Sequence, residues 1–220
     1  MINARRQQKG YRLFAVFYPR IVASEERRRW SKVRPRIMGD VQGRMLEIGV
    51  GSGYSLPFYP SEAQVVATEP DPHMLRQARH RLEELGLTNI ELRQAPAEAL
   101  PYDDASFDHV VCSWVLCTVD DLHQTLAEVR RVLKPNGTFR FMEHVRNDNI
   151  AFWRAIQNLI APAWHWLGAG CRLNQRTQQA IEEAGFRIEW LEQVPGWLSP
   201  VIYGVARPGQ AADEAARRIL

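Results

Sequence analysis

The sequence predicts an α/β domain built on a doubly wound, mostly parallel sheet, and three observations carry that expectation. Short apolar runs alternate with longer stretches at helical spacing, the pattern of strands joined by right-handed crossover helices. The first run, Met45-Leu46-Glu47-Ile48, enters three glycines spaced G-x-G-x-G: Gly49, Gly51 and Gly53. The second, Gln64-Val65-Val66-Ala67-Thr68, ends in a carboxylate, Glu69. At 220 residues, with 45% hydrophobic and 24% charged content, the chain is long enough to bury one core.

The elements follow in order. Residues 1–40 read as a basic N-terminal helical arm. Residues 1–44 hold 12 Lys+Arg against 3 Asp+Glu, while the remainder holds 16 against 22. Within the arm, Leu13, Phe14, Val16, Phe17, Ile21 and Val22 recur at near-helical spacing. Such a helix either packs on the domain as a lid over the active site or rests as a basic amphipathic helix on an anionic membrane surface. After the glycine turn and the second strand, Asp71 is an N-cap and Pro72 suits the first helical turn. Met74 to Leu85 is a helix that Gly86 stops. Asn89 to Arg93 and Phe107 to Cys112 are strands, and Leu122 to Leu133 is a helix ended by Pro135-Asn136-Gly137. Thr138 to Met142 is a buried strand. Ala151 to Ala161 and Gln175 to Ala184 read as helices, with Pro162 to Gly170 a structured insertion covering the substrate side. Phe186 to Leu191 and Val201 to Ala206 close the sheet as two late strands. The domain then spans residues 41–207, and residues 208–220 are an Ala- and charge-rich tail, expected to fray.

Composition excludes several classes of function. The three cysteines, Cys112, Cys117 and Cys171, form no C-x-x-C pair, and the six histidines show no H-E-x-x-H spacing. No disulfide framework is expected, and no metal. No run of 18 apolar residues exists, so no membrane span is expected. The N-terminus carries no signal-peptide pattern, which points to the cytoplasm, with peripheral membrane contact through the arm left open. Modest net charge and the lack of an aromatic-basic RNA motif argue against nucleic acid.

The glycines let the backbone turn sharply and let a ligand lie against it without meeting a Cβ. A carboxylate at the tip of the next strand can accept both hydroxyls of a ribose. This is a nucleoside-binding pattern, and two cofactors compete for it. Dinucleotide folds prefer G-x-G-x-x-G, with a helix N-terminus facing the pyrophosphate. The shorter spacing here, with Glu47 before it, suits S-adenosylmethionine, whose amino and sulfonium groups are cationic. Ligands of such sheets bind at the carboxyl ends of the strands. The glycine turn, Glu69, Ser113-Trp114 and Glu143-His144 all lie on that edge.

The motifs in order are Leu46-Glu47-Ile48-Gly49-x-Gly51-x-Gly53, Glu69-Pro70, Glu98-x-Leu100-Pro101-Tyr102, Ser106-Phe107-Asp108 and Arg131 to Gly137. Together they resemble class I S-adenosylmethionine-dependent methyltransferases over about residues 40–207. A closer likeness, to the alkyl thiol S-methyltransferase group, rests on Val111 to Val119, Phe141-Met142-Glu143-His144-Val145, Pro162-Ala163-Trp164-His165, Gly170-Cys171-x-Leu173, Arg176-Thr177 and Ile202-Tyr203-Gly204.

The resemblance implies a seven-stranded Rossmann-like fold, S-adenosylmethionine as cofactor and S-adenosylhomocysteine as product. It also implies roles. Gly49, Gly51 and Gly53 would pass the methionine part of the cofactor, with Glu47 holding the turn or the amino group. Glu69 would take the ribose hydroxyls, Pro70 and Met74 would flank the adenine, and Ala97 and Glu98 would border its edge. Ser113 and Val115 would close the methionine side. For a thiol acceptor the thiolate is the nucleophile, so a nearby base or positive field would help. His144 and Glu143 are the candidates, each with a packing alternative: a hydrogen-bonded strand-end histidine, and a carboxylate satisfying backbone groups. Cys117 and Cys171 read as small buried hydrophobes rather than reactive groups.

Trp114, Trp153, Trp164, Trp166 and Trp197 lie in segments expected to cover the site, with Tyr11 and Tyr18 on the arm closing the other side. The expected acceptor is therefore small and lipophilic. Transfer to a thiol is preferred on the resemblance. Carbon or nitrogen transfer, to a quinone precursor or a phospholipid amine, and a non-catalytic cofactor-binding partner subunit are the alternatives.

Overall fold

A computed structural model describes residues 26–167, 170–196 and 199–209. The arm's apolar repeat, Tyr11, Tyr18, Trp197, the Trp166 side chain and the tail beyond residue 209 lie outside that description. Seven strands form one sheet: β1 Arg44–Ile48, β2 Gln64–Thr68, β3 Ile90–Arg93, β4 Phe107–Ser113, β5 Leu133–His144, β6 Phe186–Val194 and β7 Val201–Pro208. Their order across the sheet is β3-β2-β1-β4-β5-β7-β6. The first five run parallel, and β7 runs antiparallel to both of its neighbours. From β1 the chain winds outward to β2 and β3, then returns to β4 on the other side. The switch point therefore lies between β1 and β4, where a crevice opens above the carboxyl ends.

The period-2 alternation of the strands sorts the core into two layers. Leu46, Ile48, Val66, Val110, Cys112, Phe139 and Phe141 face one layer. Met45, Val65, Ala67, Val111 and Met142 face the other. Five helices supply the covers: α1 Ser31–Met38, α2 Pro72–Leu85, α3 Leu122–Val132, α4 Ala151–Leu167 and α5 Thr177–Glu183. Leu122, Leu126, Val129 and Val132 of α3 recur at spacings of three and four and pack, with Ala180 and Ile181 of α5, on the first layer. Val33, Ile37 and Met38 of α1 and Ala78 of α2 close the second. The arm's last segment is thus part of the core.

The capping signals act as their chemistry requires. Asp71 accepts from the backbone N–H groups of His73 and Met74 at 2.8 Å each, and Gly86 ends α2 in the left-handed region at φ +63°. Asp121 caps α3 through the Gln124 N–H at 2.9 Å. One expectation is corrected. The helix begun at Ala151 does not stop before Pro162 to make an insertion; it runs on to Leu167. Proline removes one amide donor but its φ is already helical. Ile156 and Ile160, on the turns before Pro162, pack on one face against Cys117, Cys171 and Leu173. Among the described residues no helix is long and apolar enough to cross a membrane.

Candidate active site

The glycine turn closes on itself at the switch point. Gly49, Gly51 and Gly53 take φ of +66°, +57° and +82°, values that side chains with a Cβ rarely adopt. A Cβ on Gly49 would collide with Cγ2 of Val115, so the turn lies directly on the loop after β4. A Cβ on Gly51 would meet nothing within 4 Å. That open cradle is where a ligand can lie against the backbone.

Glu69 ties the end of β2 to this turn. One carboxylate oxygen accepts from the Gly51 N–H at 2.9 Å and the other from the Asp71 N–H at 3.0 Å. Each oxygen keeps a further lone pair for a ligand hydroxyl. Burial raises the Glu69 pKa to about 7 against the pull of those two N–H donors. Glu47 is fully buried beneath the turn and accepts from the Ser55 hydroxyl at 2.9 Å. Its pKa is raised, by burial above all. Within the turn the buried Ser52 hydroxyl has no hydrogen-bond partner. Cradle, carboxylate and orphaned hydroxyl fit a nucleoside cofactor carrying a ribose and a cationic side arm. Met74 is buried on the first turn of α2 and Pro70 is exposed ahead of it. Ala97 is buried, whereas the Glu98 carboxylate accepts from the Asp120 N–H at 3.0 Å and so braces the segment leading into α3.

Across the crevice, β4 and β5 end side by side. Trp114 sits directly after β4 at φ +63°, a strained conformation for a bulky residue. Its ring stacks on His144 with centroids 4.5 Å apart and meets Trp30 edge-on at 4.9 Å. Ser113 Oγ accepts a long 3.5 Å hydrogen bond from Arg34, which is held by Glu26 at 2.8 and 3.0 Å in a buried ion pair. Glu143 is fully buried, and its oxygens accept from the N–H groups of Val115 at 2.9 Å and Cys117 at 3.2 Å. Burial pushes its pKa up while those donors pull it down. Of its two sequence readings, the geometry gives Glu143 the second: it fixes the loop that carries Val115 and Cys117.

His144 is half-buried, and its Nδ1 lies 4.0 Å from Sγ of Cys171. Sγ of Cys171 lies 3.7 Å from Sγ of Cys117, and both thiols are buried and free. The ligand atoms of Cys117, His144 and Cys171 all fall within 4.8 Å of one another. The sequence showed no metal-ligand spacing among the cysteines and histidines, yet the fold brings these three together. Linear spacing could not see it, because the loop after β4, the end of β5 and the loop after α4 deliver one residue each. Cys171 is shifted toward thiolate, first by its hydrogen bond with Cys117 and further by His144 and Trp164, despite its burial. Cys117 is shifted the other way by the same hydrogen bond and by burial. A surface cavity of about 770 Å³ lined by Arg130, Arg131, Arg187 and Arg207 lies beside the start of β5. It is at the far end of that strand from His144 and takes no part in this site.

Comparison with known proteins places this geometry. Residues 46–141 match the family model described as "Methyltransferase domain". The chain is 33% identical over 200 residues to thiol S-methyltransferase TMT1A of Homo sapiens, covering 88% of this chain and 82% of that one. It is 31% identical over 198 residues to phosphatidylethanolamine N-methyltransferase of Cereibacter sphaeroides, covering 89% and 91%. The fold superposes on the crystal structure of the YcgJ protein of Bacillus subtilis with a TM-score of 0.68 at 16% identity, over 82% of this chain and 98% of that one.

Proposed function

Because the chain belongs to the class I S-adenosylmethionine-dependent methyltransferases, we propose that its acceptor is a small lipophilic thiol, methylated on sulfur. The observation that carries this reading is the extent of the likeness to TMT1A. A match over 88% of the chain cannot be confined to the cofactor half. It must include β5, α4 and the loop of Cys171, which form the acceptor side.

The glycine turn, Glu69, Met74 and Ala97 would hold the cofactor, with Val115 closing its methionine side. When bound, it supplies an electrophilic methyl group on a sulfonium. The chain's own residues then have two tasks. The first is to aim the acceptor sulfur at that methyl, which positioning alone can accelerate greatly. Trp30 and Trp114 give this side an aromatic wall suited to a lipophilic acceptor. The second is to bring the thiol to its thiolate, the reactive form. His144, stacked on Trp114, is the polar group at that wall, with the Cys171 and Cys117 thiols next to it.

Formation of S-adenosylhomocysteine by purified protein against a panel of alkyl and aryl thiols, phenols, quinols and phospholipid amines tests the reading. Turnover confined to thiols, with an S-methyl product by mass spectrometry, is expected. The match to the Cereibacter enzyme supports a second reading, N-methylation of a phospholipid amine, and turnover confined to lipid amines would replace the first. We further propose a cytoplasmic protein that contacts anionic membrane surfaces through the basic arm. Co-sedimentation with anionic vesicles should be lost on deleting residues 1–22, and unchanged sedimentation would remove that role.

A further inference from the structure

We propose that Cys117, His144 and Cys171 form a three-ligand site for a thiophilic divalent cation, Zn²⁺ above all, whose fourth position takes the acceptor's sulfur. The fourth ligand rests on the thiol reading above; the metal site stands on its own geometry. Two thiolates bound about 2.3 Å from one tetrahedral zinc lie about 3.8 Å apart. The two sulfurs here are 3.7 Å apart. An imidazole nitrogen on the same ion lies about 3.6 Å from each sulfur. Nδ1 of His144 is 4.0 Å from Cys171 Sγ, and the three ligand atoms all lie within 4.8 Å of one another, so the imidazole must draw inward to reach an ion held by the two sulfurs. Two cysteines and one histidine with a position left open is the donor set of a catalytic rather than a closed structural zinc site.

The three segments that carry the ligands are braced against one another. The Cys117 N–H is held by Glu143, and the Cys117 carbonyl accepts from the Arg172 N–H at 2.7 Å, which fastens the two cysteine segments together. His165 Nδ1 bonds the Gly170 carbonyl at 2.8 Å, beside Cys171. His144 is fixed by its stack on Trp114 and by its place on β5 opposite Val201. The sulfurs are buried, and the imidazole, stacked on Trp114, is the half-exposed member. Val115, packed against Gly49, lies two residues before Cys117, which sets the cluster beside the cofactor turn.

The chemistry balances without any redox partner. On coordination the acceptor's S–H bond breaks, its proton leaves to water and a sulfur–metal bond forms. The sulfur then takes the methyl group, and the breaking sulfonium–carbon bond leaves its electron pair on the cofactor sulfur. The product is a neutral thioether, a weak ligand that departs. The metal thus holds a thiolate at neutral pH where the free thiol is mostly protonated.

Titration of the full chain with Co²⁺, under a phosphine reductant that keeps the cysteines as thiols, tests the site. One equivalent should bind, with thiolate-to-cobalt absorption in the near ultraviolet and intense tetrahedral bands in the visible; Zn²⁺ should displace it. Cys171→Ser and His144→Ala should each weaken binding more than about a hundredfold, beyond the loss expected of a supporting residue. Cys112→Ser, on a buried cysteine outside the cluster, should bind as the parent does. Far-ultraviolet circular dichroism and S-adenosylhomocysteine binding should be unchanged in all three, so a lost band reports a lost ligand rather than a lost fold. An alkanethiol should shift the cobalt bands, and the matching alcohol should not. Sub-stoichiometric binding, or bands retained in both ligand variants, overturns the site. Full-rate thiol methylation by metal-free protein overturns its role while leaving the thiol reading standing. Stoichiometric metal with no shift on adding thiol removes the acceptor from the fourth position.

Discussion

At the scale of single residues, Glu69 does two things that its position after β2 only half reveals. On the proposed reading it receives a ribose, and it already ties the Gly51 and Asp71 N–H groups together. Replacing it with alanine removes a charged acceptor, so S-adenosylhomocysteine binding should weaken by about 1–3 kcal/mol, read by calorimetry. A carboxyl with a pKa of about 7 in the fold and an ordinary value of 4.5 holds its proton more tightly folded than unfolded. Its contribution to stability is present below pH 4.5 and fades as pH rises toward 7. Hydroxyl binding has the opposite preference, for the ionised form. Adenosine, which has no titrating group near neutrality, should therefore bind more tightly as pH rises through about 7. The Glu69→Gln variant should bind it weakly and without that pH dependence. The glycines separate in the same way. Gly49→Ala strains the backbone and strikes Val115, and should cost about 2–4 kcal/mol of stability in urea unfolding. Gly51→Ala carries the backbone strain alone, about 1–2 kcal/mol. Its Cβ enters the open cradle, so its larger effect should fall on cofactor affinity.

At the scale of elements, the segment from Glu26 to Met38 is packed into the fold beside the crevice. Its buried Arg34–Glu26 pair sits next to Ser113, and Trp30 packs on Trp114. Removing one partner of a buried pair strands the other charge. Glu26→Ala should lower unfolding free energy by about 3–5 kcal/mol. The double variant Glu26→Ala/Arg34→Met should lose less than the single one, because no charge is then left uncompensated. A double variant no better than Glu26→Ala would show that Glu47, which also acts on Arg34, is the true counter-charge. The end of α2 was legible because its signals are local: Asp71 caps its start and Gly86 its end. The extent of α4 was not, because proline's φ is compatible with a helix and a local pattern does not say whether the chain continues through Pro162.

At the scale of the whole molecule, one ion pair, Asp40–Arg140, joins distant parts of the chain, and another, Glu128–Arg131, braces a single helix. Asp40 is held well ionised by its hydrogen bond from Arg140, and Glu128 by its hydrogen bond from Arg131. Both carboxyls sit below their ordinary pKa, so their contribution is present above it and is lost as pH falls through the folded values. Thermal unfolding should therefore move to lower temperature once pH drops below about 4, and high salt should blunt the change for the exposed Asp40 more than for Glu128. If Asp40→Asn and Glu128→Gln left the acid limb unchanged, these pairs would not be its cause.

The sequence by itself determined the strand–helix alternation, the glycine turn, the carboxylate after β2 and hence the cofactor half of the site. Each of these is a local pattern: a period, a cap, or a spacing that the backbone reads within a few residues. Only the tertiary structure decided that β7 turns back between β5 and β6, that Glu143 holds a loop, and that Glu98 braces Asp120. It alone also decided that Cys117, His144 and Cys171 meet. His144 ends β5 and Cys117 follows in the turn after the neighbouring β4, so topology could bring them to one edge. Cys171 arrives from a loop whose path is fixed by the packing of α4 and by its backbone bond to Cys117. Contacts between residues far apart in sequence depend on how whole elements pack, and no local pattern encodes that.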